Sequence, residues 1–256
     1  MTEFTVIIPA RMRSTRLPEK PLKDILGKPM VVRVAQRAAQ SRASDVIVAC
    51  DDGRVLSACK SEGVKAVLTK TSHPTGTDRL SEAVRILNLP DDAIVVNVQG
   101  DEPLIDPEAV DRAAQLLADC PDCDIATAAH PIHSAEEFFN PNVVKVALDD
   151  FGRALLFSRA PIPWARDAFK QRMDQLPEQM PAMRHIGLYA YRVRFLKQFP
   201  TWPQSSIEKI ESLEQLRAMS HGRKIAVMVL DKPLPPGVDT QEDLERVREV
   251  YRNMGL

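Results

Sequence analysis

Short apolar, β-branched runs alternate with amphipathic stretches through the first half of the chain. Such runs predict strands, and apolar residues recurring every three or four positions predict helices. The predicted order is strand 4–9, helix 30–39, strand 46–50, helix 54–62, strand 66–68, helix 77–87 and strand 93–98. This alternation of strand and helix predicts a mostly parallel central sheet with helices on both sides.

The strand at 93–98 is nearly all apolar, which predicts burial on both of its faces. A helix follows it, with Asp106 as the N-cap and Pro107 in the first turn, where proline is favoured. A last helix is predicted to begin near Thr240, where Asp243 three residues on forms a capping box.

The pattern changes after Asp124. Three strands without long helices between them are predicted at 125–129, 143–148 and 154–158, a spacing that suits an antiparallel excursion. Residues 161–183 are rich in proline, methionine and charge without a clear period, and predict a loop or interface segment. The remaining predicted elements are strand 186–191, helix 207–219 and strand 225–230.

Neither an internal repeat nor a low-complexity linker divides the sequence. We therefore expect a single domain over residues 1–256, with a subdomain or interface excursion at about 124–191.

Composition narrows the function. Of 256 residues, 44% are hydrophobic and 27% are charged, as in a folded protein. The formal net charge of −1 argues against a general nucleic-acid binder, which needs a basic surface. No apolar run approaches the roughly 20 residues that cross a bilayer. The first residues predict a strand and not a signal peptide, because they lack a basic leader and a long apolar stretch.

Four cysteines suit a reducing compartment, so we expect a cytoplasmic protein. Cys120 and Cys123 form a C-x-x-C pair around Pro121 and Asp122. A structural zinc site is the alternative to two free thiols. The absence of a second pair or a nearby histidine at metal spacing favours the free thiols.

The loop after the first strand, residues 9–22, concentrates positive charge among prolines. Open α/β sheets bind ligands at the carboxyl ends of their strands, and guanidinium groups match phosphate geometry. A solvated basic turn is the alternative, but four cations packed among three prolines favour an anion site. These residues are Arg11, Arg13, Arg16 and Lys20, with Pro9, Pro18 and Pro21.

The familiar phosphate-binding motifs are missing. Residues 27–29 do not form a Walker A motif, and none of the ten glycines belongs to a G-x-G pair. A P-loop ATPase and a nicotinamide dehydrogenase are therefore disfavoured.

Two acidic residues are candidate metal ligands. Asp101 follows the buried strand 93–98, at the same predicted sheet edge as the basic loop, and carboxylates together with substrate phosphates are common magnesium ligands. A turn aspartate bonding its own backbone is the alternative there. Asp239 is the second candidate, against the alternative that it stabilises a helix start.

Two further groups are less specific. His185 precedes the strand that carries Tyr189, and a lone histidine is more often structural than functional. Glu211, Glu214 and Gln215 lie on the predicted helix 207–219, where they also fit an ordinary solvated face.

Eight blocks of sequence, in order and over nearly the whole chain, then resemble one enzyme family. They are residues 9–22, 76–80, 97–103, 139–145, 157–163, 184–189, 211–217 and 237–240. The sequence is similar to the CMP-Kdo synthetases, which are 3-deoxy-manno-octulosonate cytidylyltransferases. Residues 169–183 match no block of the family.

The resemblance implies a nucleotidyltransferase fold of the glycosyltransferase-A type, with a small antiparallel subdomain that usually forms a homodimer. It implies attack by the anomeric 2-hydroxyl of Kdo on the α-phosphorus of CTP. Pyrophosphate leaves, and CMP-Kdo is formed for lipopolysaccharide biosynthesis.

The resemblance also implies roles for individual residues. Those assigned to the nucleotide are Pro9, Ala10, Arg11, Ser14, Arg16, Lys20 and Gln99. Those assigned to catalysis are Arg11, Lys20, Asp101 and Asp239, of which the two aspartates are expected to bind Mg²⁺. Those assigned to the sugar acid are Arg79, Gln99, Arg159, His185, Tyr189, Glu214 and Gln215.

Three alternatives stay open. A cytidylyltransferase for another sugar acid, such as 8-amino-Kdo or sialic acid, would use the same phosphate end. An NDP-hexose pyrophosphorylase usually has a glycine-richer opening loop than residues 9–22. A non-catalytic nucleotide sensor would have no need to keep both Asp101 and Asp239.

Overall fold

The computed structural model describes residues 2–255, so the two ends of the predicted domain, residues 1 and 256, lie outside it. Its strands are β1 (Phe4–Ala10), β2 (Asp24–Ile25), β3 (Lys28–Pro29), β4 (Asp45–Cys50), β5 (Lys65–Leu68), β6 (Ile94–Asn97), β7 (Ile125–Pro131), β8 (Lys145–Leu148), β9 (Ala154–Ser158), β10 (Met183–Arg192) and β11 (Ile225–Val229). Its helices are α1 (Met30–Ala38), α2 (Gly53–Ser61), α3 (Gly76–Ile86), α4 (Pro107–Asp119), α5 (Ala135–Phe139), α6 (Val193–Gln198), α7 (Ser206–Glu211), α8 (Gln215–Ser220) and α9 (Gln241–Asn253). Short 3₁₀ turns lie at Lys20–Leu22 and Phe199–Thr201.

The central sheet has the strand order β11-β7-β10-β6-β1-β4-β5. Strand β1 is parallel to β4 and β6, β4 is parallel to β5, and β7 is parallel to β11. Strand β10 is antiparallel to both of its central neighbours, β6 and β7. The predicted mostly parallel sheet with flanking helices is confirmed.

The antiparallel part consists of β10 and the β8–β9 hairpin, which pairs with one end of β10. The strand predicted at 125–129 belongs to the central sheet as β7. Residues 161–182 contain no helix or strand, as expected for most of the segment 161–183, but they contribute Phe169 and Ala182 to a small separate core. Phe169 is buried there, with its ring 5.8 Å from that of Phe138 on α5 and 4.9 Å from that of Trp164.

The main core lies on both faces of the sheet. Val6 and Ile8 of β1 pack into a cluster with α1, α4 and α9, whereas Ile7 between them packs into a second cluster with α3 and α6. Successive strand residues point to opposite faces, so β1 fills both clusters. All four residues of β6 are buried, which confirms the predicted two-sided burial.

Side chains cap three helices that lie near the carboxyl edge of the sheet. Asp106 accepts from the Glu108 N–H at the start of α4, and Thr75 accepts from the Asp78 N–H at the start of α3. The predicted capping box between Thr240 and Asp243 is formed in both directions. Such caps contribute about 1 kcal/mol each and fix where the chain enters the helix.

The helix predicted at 207–219 is wrong as a single element. Ser212, with φ of 51°, ends α7 in the left-handed region, and α8 starts three residues later. The break lets Glu208 of α7 pair with Arg217 of α8 at 2.6 Å, both side chains being buried. The apolar period continues across the break, so periodicity alone could not reveal it.

Among residues 2–255, no helix combines the length and the apolar character needed to cross a membrane.

Candidate active site

Three loops meet at the carboxyl edge of the central sheet. Gly100, after β6, approaches β1 so closely that a Cβ there would lie 2.7 Å from the Pro9 carbonyl oxygen. A Cβ on Gly237 would lie 3.2 Å from the Asp101 carbonyl oxygen, and the Val238 N–H donates to that oxygen at 2.8 Å. These contacts join the basic loop after β1, the loop after β6 and the loop before α9.

Asp101 and Asp239, the two aspartates predicted to bind a metal, both contact Lys20. Lys20 Nζ lies 2.6 Å from Asp101 Oδ2 and 3.0 Å from Asp239 Oδ1. Arg16 Nη2 lies 3.1 Å from the same Asp239 oxygen. Four residues that the resemblance assigned to catalysis or to the nucleotide therefore form one charged network.

Two opposing effects set the protonation of Lys20. Burial acts to lower the pKa of the ammonium, whereas hydrogen bonds and charge attraction from Asp101 and Asp239 act to raise it. The attraction prevails, and the pKa of Lys20 is raised above its usual value. Lys20 is thus a permanent cation at neutral pH.

A cavity of about 370 Å³ opens above this network. Its cationic side chains outnumber its carboxylates, so its potential favours an anion. Its lining residues are Pro9, Ala10, Arg11, Arg13, Ser14, Thr15, Arg16, Lys20, Pro21, Gly76, Gln99, Gly100, Asp101 and Asp239. Every residue assigned to the nucleotide lies in this lining.

A second, smaller hollow also borders the first turn of α3. Thr77 lines it, one residue after Gly76, which lines the large cavity. Tyr189, Glu214 and Gln215 line it as well, so three residues assigned to the sugar acid come together. Tyr189 lies opposite Asn97 of β6 in the sheet. Asn97 is two residues before Gln99, which lines the large cavity.

Burial controls the chemistry of the small hollow. Desolvation raises the pKa of the Glu214 carboxyl, although the hydroxyls of Thr75 and Thr77 oppose that shift. Among residues 2–255, Glu214 Oε1 is a buried acceptor that has no hydrogen-bond partner. Desolvation also raises the pKa of the Tyr189 phenol. A polar ligand in this hollow would satisfy groups that are otherwise expensive to bury.

His185 lies behind the small hollow and does not line it. Its Nε2 is 3.0 Å from Thr127 Oγ1, and its ring centroid is 5.4 Å from that of Tyr189. Burial lowers the pKa of His185 to about 4, so the imidazole is neutral at pH 7. His185 supports the position of Tyr189.

Arg159, at the end of β9, lines neither the large cavity nor the small hollow. Its guanidinium donates to the Glu211 carbonyl at 2.7 Å and to the Pro141 carbonyl at 3.1 Å. Its main-chain N–H donates to the Glu211 carboxylate at 2.9 Å, and buried Lys145 donates to its carbonyl at 2.7 Å.

Arg79 has no exposed surface. Its Nη2 donates to Asp51 Oδ2 at 2.9 Å, and its Nη1 donates to Thr69 Oγ1 at 2.6 Å. The resemblance assigned Arg79 to the sugar acid, but a direct contact would require these buried bonds to break. The structure does not bring Arg79 together with the other sugar-side residues.

Sequence reasoning missed Asp51, Thr77 and Gly237 as parts of the site. Asp51 directly follows β4, the parallel neighbour of β1. That position at the carboxyl end of a strand was the signal that could have indicated a site residue. Glu102, the residue after Asp101, has an enclosed carboxyl, and burial followed by repulsion from Asp101 raises its pKa to about 8.

Cys120 and Cys123 lie far from this site in the fold, at the turn between α4 and β7. Both are free thiols, with sulfurs 2.7 Å apart, and within residues 2–255 they form with Asp122 a group spaced to share a metal. Burial raises the pKa of Cys123 to about 12, and Asp122 is paired with Lys224 at 2.8 Å. The ion pair with Lys224 competes with a metal ion for the Asp122 carboxylate.

Comparison with known proteins agrees with this geometry. The model of the cytidylyltransferase family matches residues 5–225. The solved structure of CMP:2-keto-3-deoxy-manno-octonic acid synthetase complexed with CTP is similar to 99% of this chain and to 100% of its own chain, at 41% identity and a TM-score of 0.88. A cytidylyltransferase from Leptospira borgpetersenii serovar Hardjo-bovis (strain JB197) covers 100% of this chain and 95% of its own, at 17% identity and a TM-score of 0.58, and shares the fold.

This nucleotidyltransferase chain belongs to the cytidylyltransferase family. The resemblance to CMP-Kdo synthetases that the sequence blocks indicated is confirmed by the match at 41% identity over the whole chain.

Proposed function

We propose that the protein transfers the CMP group of CTP to the anomeric 2-hydroxyl of Kdo, releasing pyrophosphate and forming CMP-Kdo for lipopolysaccharide biosynthesis. The observation that carries this proposal is the network of Lys20, Asp101 and Asp239 on the floor of a cationic cavity. The similarity to a solved CMP:2-keto-3-deoxy-manno-octonic acid synthetase complexed with CTP supports both substrates.

In this proposal the triphosphate lies in the large cavity. Arg11, Arg16 and Lys20 supply positive charge, and Ser14 supplies a hydroxyl donor. In-line displacement at phosphorus demands little covalent chemistry from a protein, so positioning and charge neutralisation carry the reaction. The permanent charge on Lys20 suits it to stabilise the departing pyrophosphate.

Magnesium is the proposed cofactor, held by Asp101 and Asp239. The fit rests on two partly exposed carboxylates that reach the same point, now contacted by Lys20 Nζ. Hard oxygen ligands of this kind suit Mg²⁺. A bound ion would supply positive charge that neutralises the triphosphate and favours the attack of the acceptor hydroxyl. The Val238 N–H fixes the main chain at Asp101 by donating to its carbonyl oxygen, and the Lys20 ammonium donates to both carboxylates.

The sugar acid is proposed to span from Gln99 of the large cavity to the small hollow. Tyr189, Glu214 and Gln215 offer it polar contacts in a desolvated setting. Arg159 is proposed as a partner for its carboxylate, because a guanidinium and a carboxylate pair bidentately. Arg159 lines neither the cavity nor the hollow, so this pairing requires the guanidinium to give up at least one of its bonds to the Glu211 and Pro141 carbonyls. His185 contributes by holding Tyr189 in place.

A homodimer is proposed around residues 150–191, in a cytoplasmic enzyme. Its support is apolar surface: Phe151, Leu155 and Trp164 are 83%, 62% and 52% exposed. Exposed apolar side chains that lie together mark contact surfaces, and these three side chains fall within the segment of the proposed interface. Light scattering is expected to give twice the mass of one chain at micromolar concentration, and the mass of a single chain would reject the dimer.

The proposed function is tested by pyrophosphate release from CTP with several acceptors side by side. Kdo, 8-amino-Kdo, sialic acid and a hexose 1-phosphate should be compared at equal concentration with Mg²⁺ present. We expect Kdo to give the highest kcat/KM. A higher kcat/KM for sialic acid or 8-amino-Kdo would retain the assignment as a cytidylyltransferase but change its acceptor. A higher kcat/KM for the hexose phosphate would contradict the assignment of a sugar acid as the acceptor.

A further inference from the structure

We propose that Arg79 is a positioning residue for the nucleotide, which sets the basic loop through Asp51 instead of contacting the sugar acid. The proposal rests on CTP being the nucleotide of the proposed function. It assigns Arg79 to the opposite substrate from the one that the family resemblance implied.

The first link runs from Arg79 to the basic loop. Arg79 Nη2 donates to one oxygen of Asp51 at 2.9 Å, and the other oxygen accepts the Met12 N–H at 2.9 Å. Met12 stands between Arg11 and Arg13, both of which line the large cavity. A carboxylate bound on both oxygens cannot rotate freely, so Arg79 fixes the path of the main chain at Met12.

The second link runs from Arg79 to the segment before α3. Arg79 Nη1 donates to Thr69 Oγ1 at 2.6 Å, and Thr69 in turn donates to the Cys50 carbonyl at 2.9 Å. Arg11 Nη1 reaches over to the Pro74 carbonyl at 3.2 Å. The basic loop and the segment 69–75 therefore contact each other directly through Arg11 and indirectly through Arg79.

Burial and charge explain why a charged residue is used at this position. The side chain of Arg79 has 0% exposure and that of Asp51 has 9%, so the pair lies out of water. Burial lowers the pKa of Arg79, and the charge of Asp51 opposes that shift. A buried ion pair adds little net stability over apolar packing, whereas removing one partner leaves the other uncompensated. Its value lies in the fixed geometry.

A direct sugar contact would have a different kinetic signature. A residue that touches the sugar acid changes the KM for Kdo, whereas one that positions the basic loop changes the use of CTP. The KM values of the two substrates therefore separate the two roles, and a purely structural role would lower thermal stability without favouring either substrate.

The test uses Arg79→Met, Arg79→Lys and Asp51→Asn in the full chain, with Arg85→Met as the matched control. Arg85 lies on the same helix, is exposed, and donates only to the Lys197 carbonyl among residues 2–255. Initial rates should be measured against CTP and against Kdo, and CTP affinity should be measured by calorimetry without any sugar.

We expect Arg79→Met to lower kcat/KM for CTP by about 10- to 100-fold, the size of effect that a misplaced binding group produces. The KM for Kdo should stay within about threefold of the wild-type value, a range that corresponds to less than 1 kcal/mol. Arg79→Lys should restore part of the loss because it keeps the charge. Asp51→Asn should weaken CTP binding as well, and Arg85→Met should leave both substrates unchanged.

A selective rise in the KM for Kdo, or CTP affinity equal to that of the wild type, overturns the proposal. If Arg79→Met does not fold, Asp51→Asn and Thr69→Val give the same comparison, because each removes one of the two links. Calorimetry with CTP alone keeps the outcomes distinct. Wild-type enzyme that binds CTP but ignores Kdo contradicts the proposed acceptor, while the affinities of the variants still decide the role of Arg79.

Discussion

Lys20 donates a hydrogen bond of 2.6 Å to Asp101, a residue 81 positions further along the chain. The same ammonium reaches Asp239 at 3.0 Å, across a separation of 219 positions. The site is therefore assembled only when β1, β6 and the start of α9 are in place. Its geometry is a property of the folded sheet edge and not of any single loop.

We predict that Asp101→Asn and Asp239→Asn each lower turnover by roughly 10²- to 10³-fold, the cost of removing one electrostatic partner of a transition state. Each substitution keeps the shape of the side chain and removes the charge that would hold Mg²⁺. The measurement is the initial rate as a function of Mg²⁺ concentration, with circular dichroism to show that the fold is retained. Near-normal activity of Asp239→Asn at limiting Mg²⁺ would show that Asp239 does not bind the metal and only stabilises the start of a helix.

Arg159→Ala is expected to raise the KM for Kdo far more than the KM for CTP. A desolvated guanidinium–carboxylate pair discriminates strongly for a charged ligand. Arg166→Ala is the matched control, since Arg166 is exposed on the neighbouring segment and pairs with Asp167. If both KM values move together, or neither moves, Arg159 is not a sugar-side residue.

Stability is predicted to fall in acid partly because of His185. The folded-state pKa of about 4 lies below the ordinary value of 6.5, so the unfolded chain binds the proton more readily. Stability is thus lost as the pH falls below about 6.5, and the loss is complete once the pH passes below about 4. In the His185→Gln variant, the free energy of unfolding measured with urea should depend less steeply on pH between about 6.5 and about 4. An unchanged slope would show that His185 is not held neutral by burial.

Cys120→Ser combined with Cys123→Ser is expected to preserve both stability and activity. The pair lies at the turn between α4 and β7, away from the carboxyl edge that carries the site. Metal analysis of the purified wild-type protein is the matching measurement. Stoichiometric zinc that is lost in the double variant would show that this dithiol is a structural metal site.

Much of the fold could be predicted because its elements have clean periods. The buried run that became β6 and the capped helices α4 and α9 each carried a local signal. The convergence of Lys20 and Asp101 followed from a general property of parallel sheets, whose carboxyl ends share one edge.

Other features depended on tertiary contacts that no local pattern encodes. The break at Ser212 brings Glu208 and Arg217 together as a buried pair, and the continuous apolar period of the sequence does not reveal it. Arg79 belongs to a block that resembles the family, and the resemblance assigned it to the sugar acid. In the structure it is paired with Asp51, which is distant in sequence. Charge and motif predicted which residues matter here, but not which atoms they contact.

The central claim is tested most directly by ³¹P NMR of one reaction mixture that contains the protein, CTP, Mg²⁺ and Kdo. The account predicts that a phosphodiester signal of CMP-Kdo and a pyrophosphate signal grow in equal amounts, and that both are absent without Kdo. Free CMP in place of the diester, or pyrophosphate release that does not depend on Kdo, would contradict it.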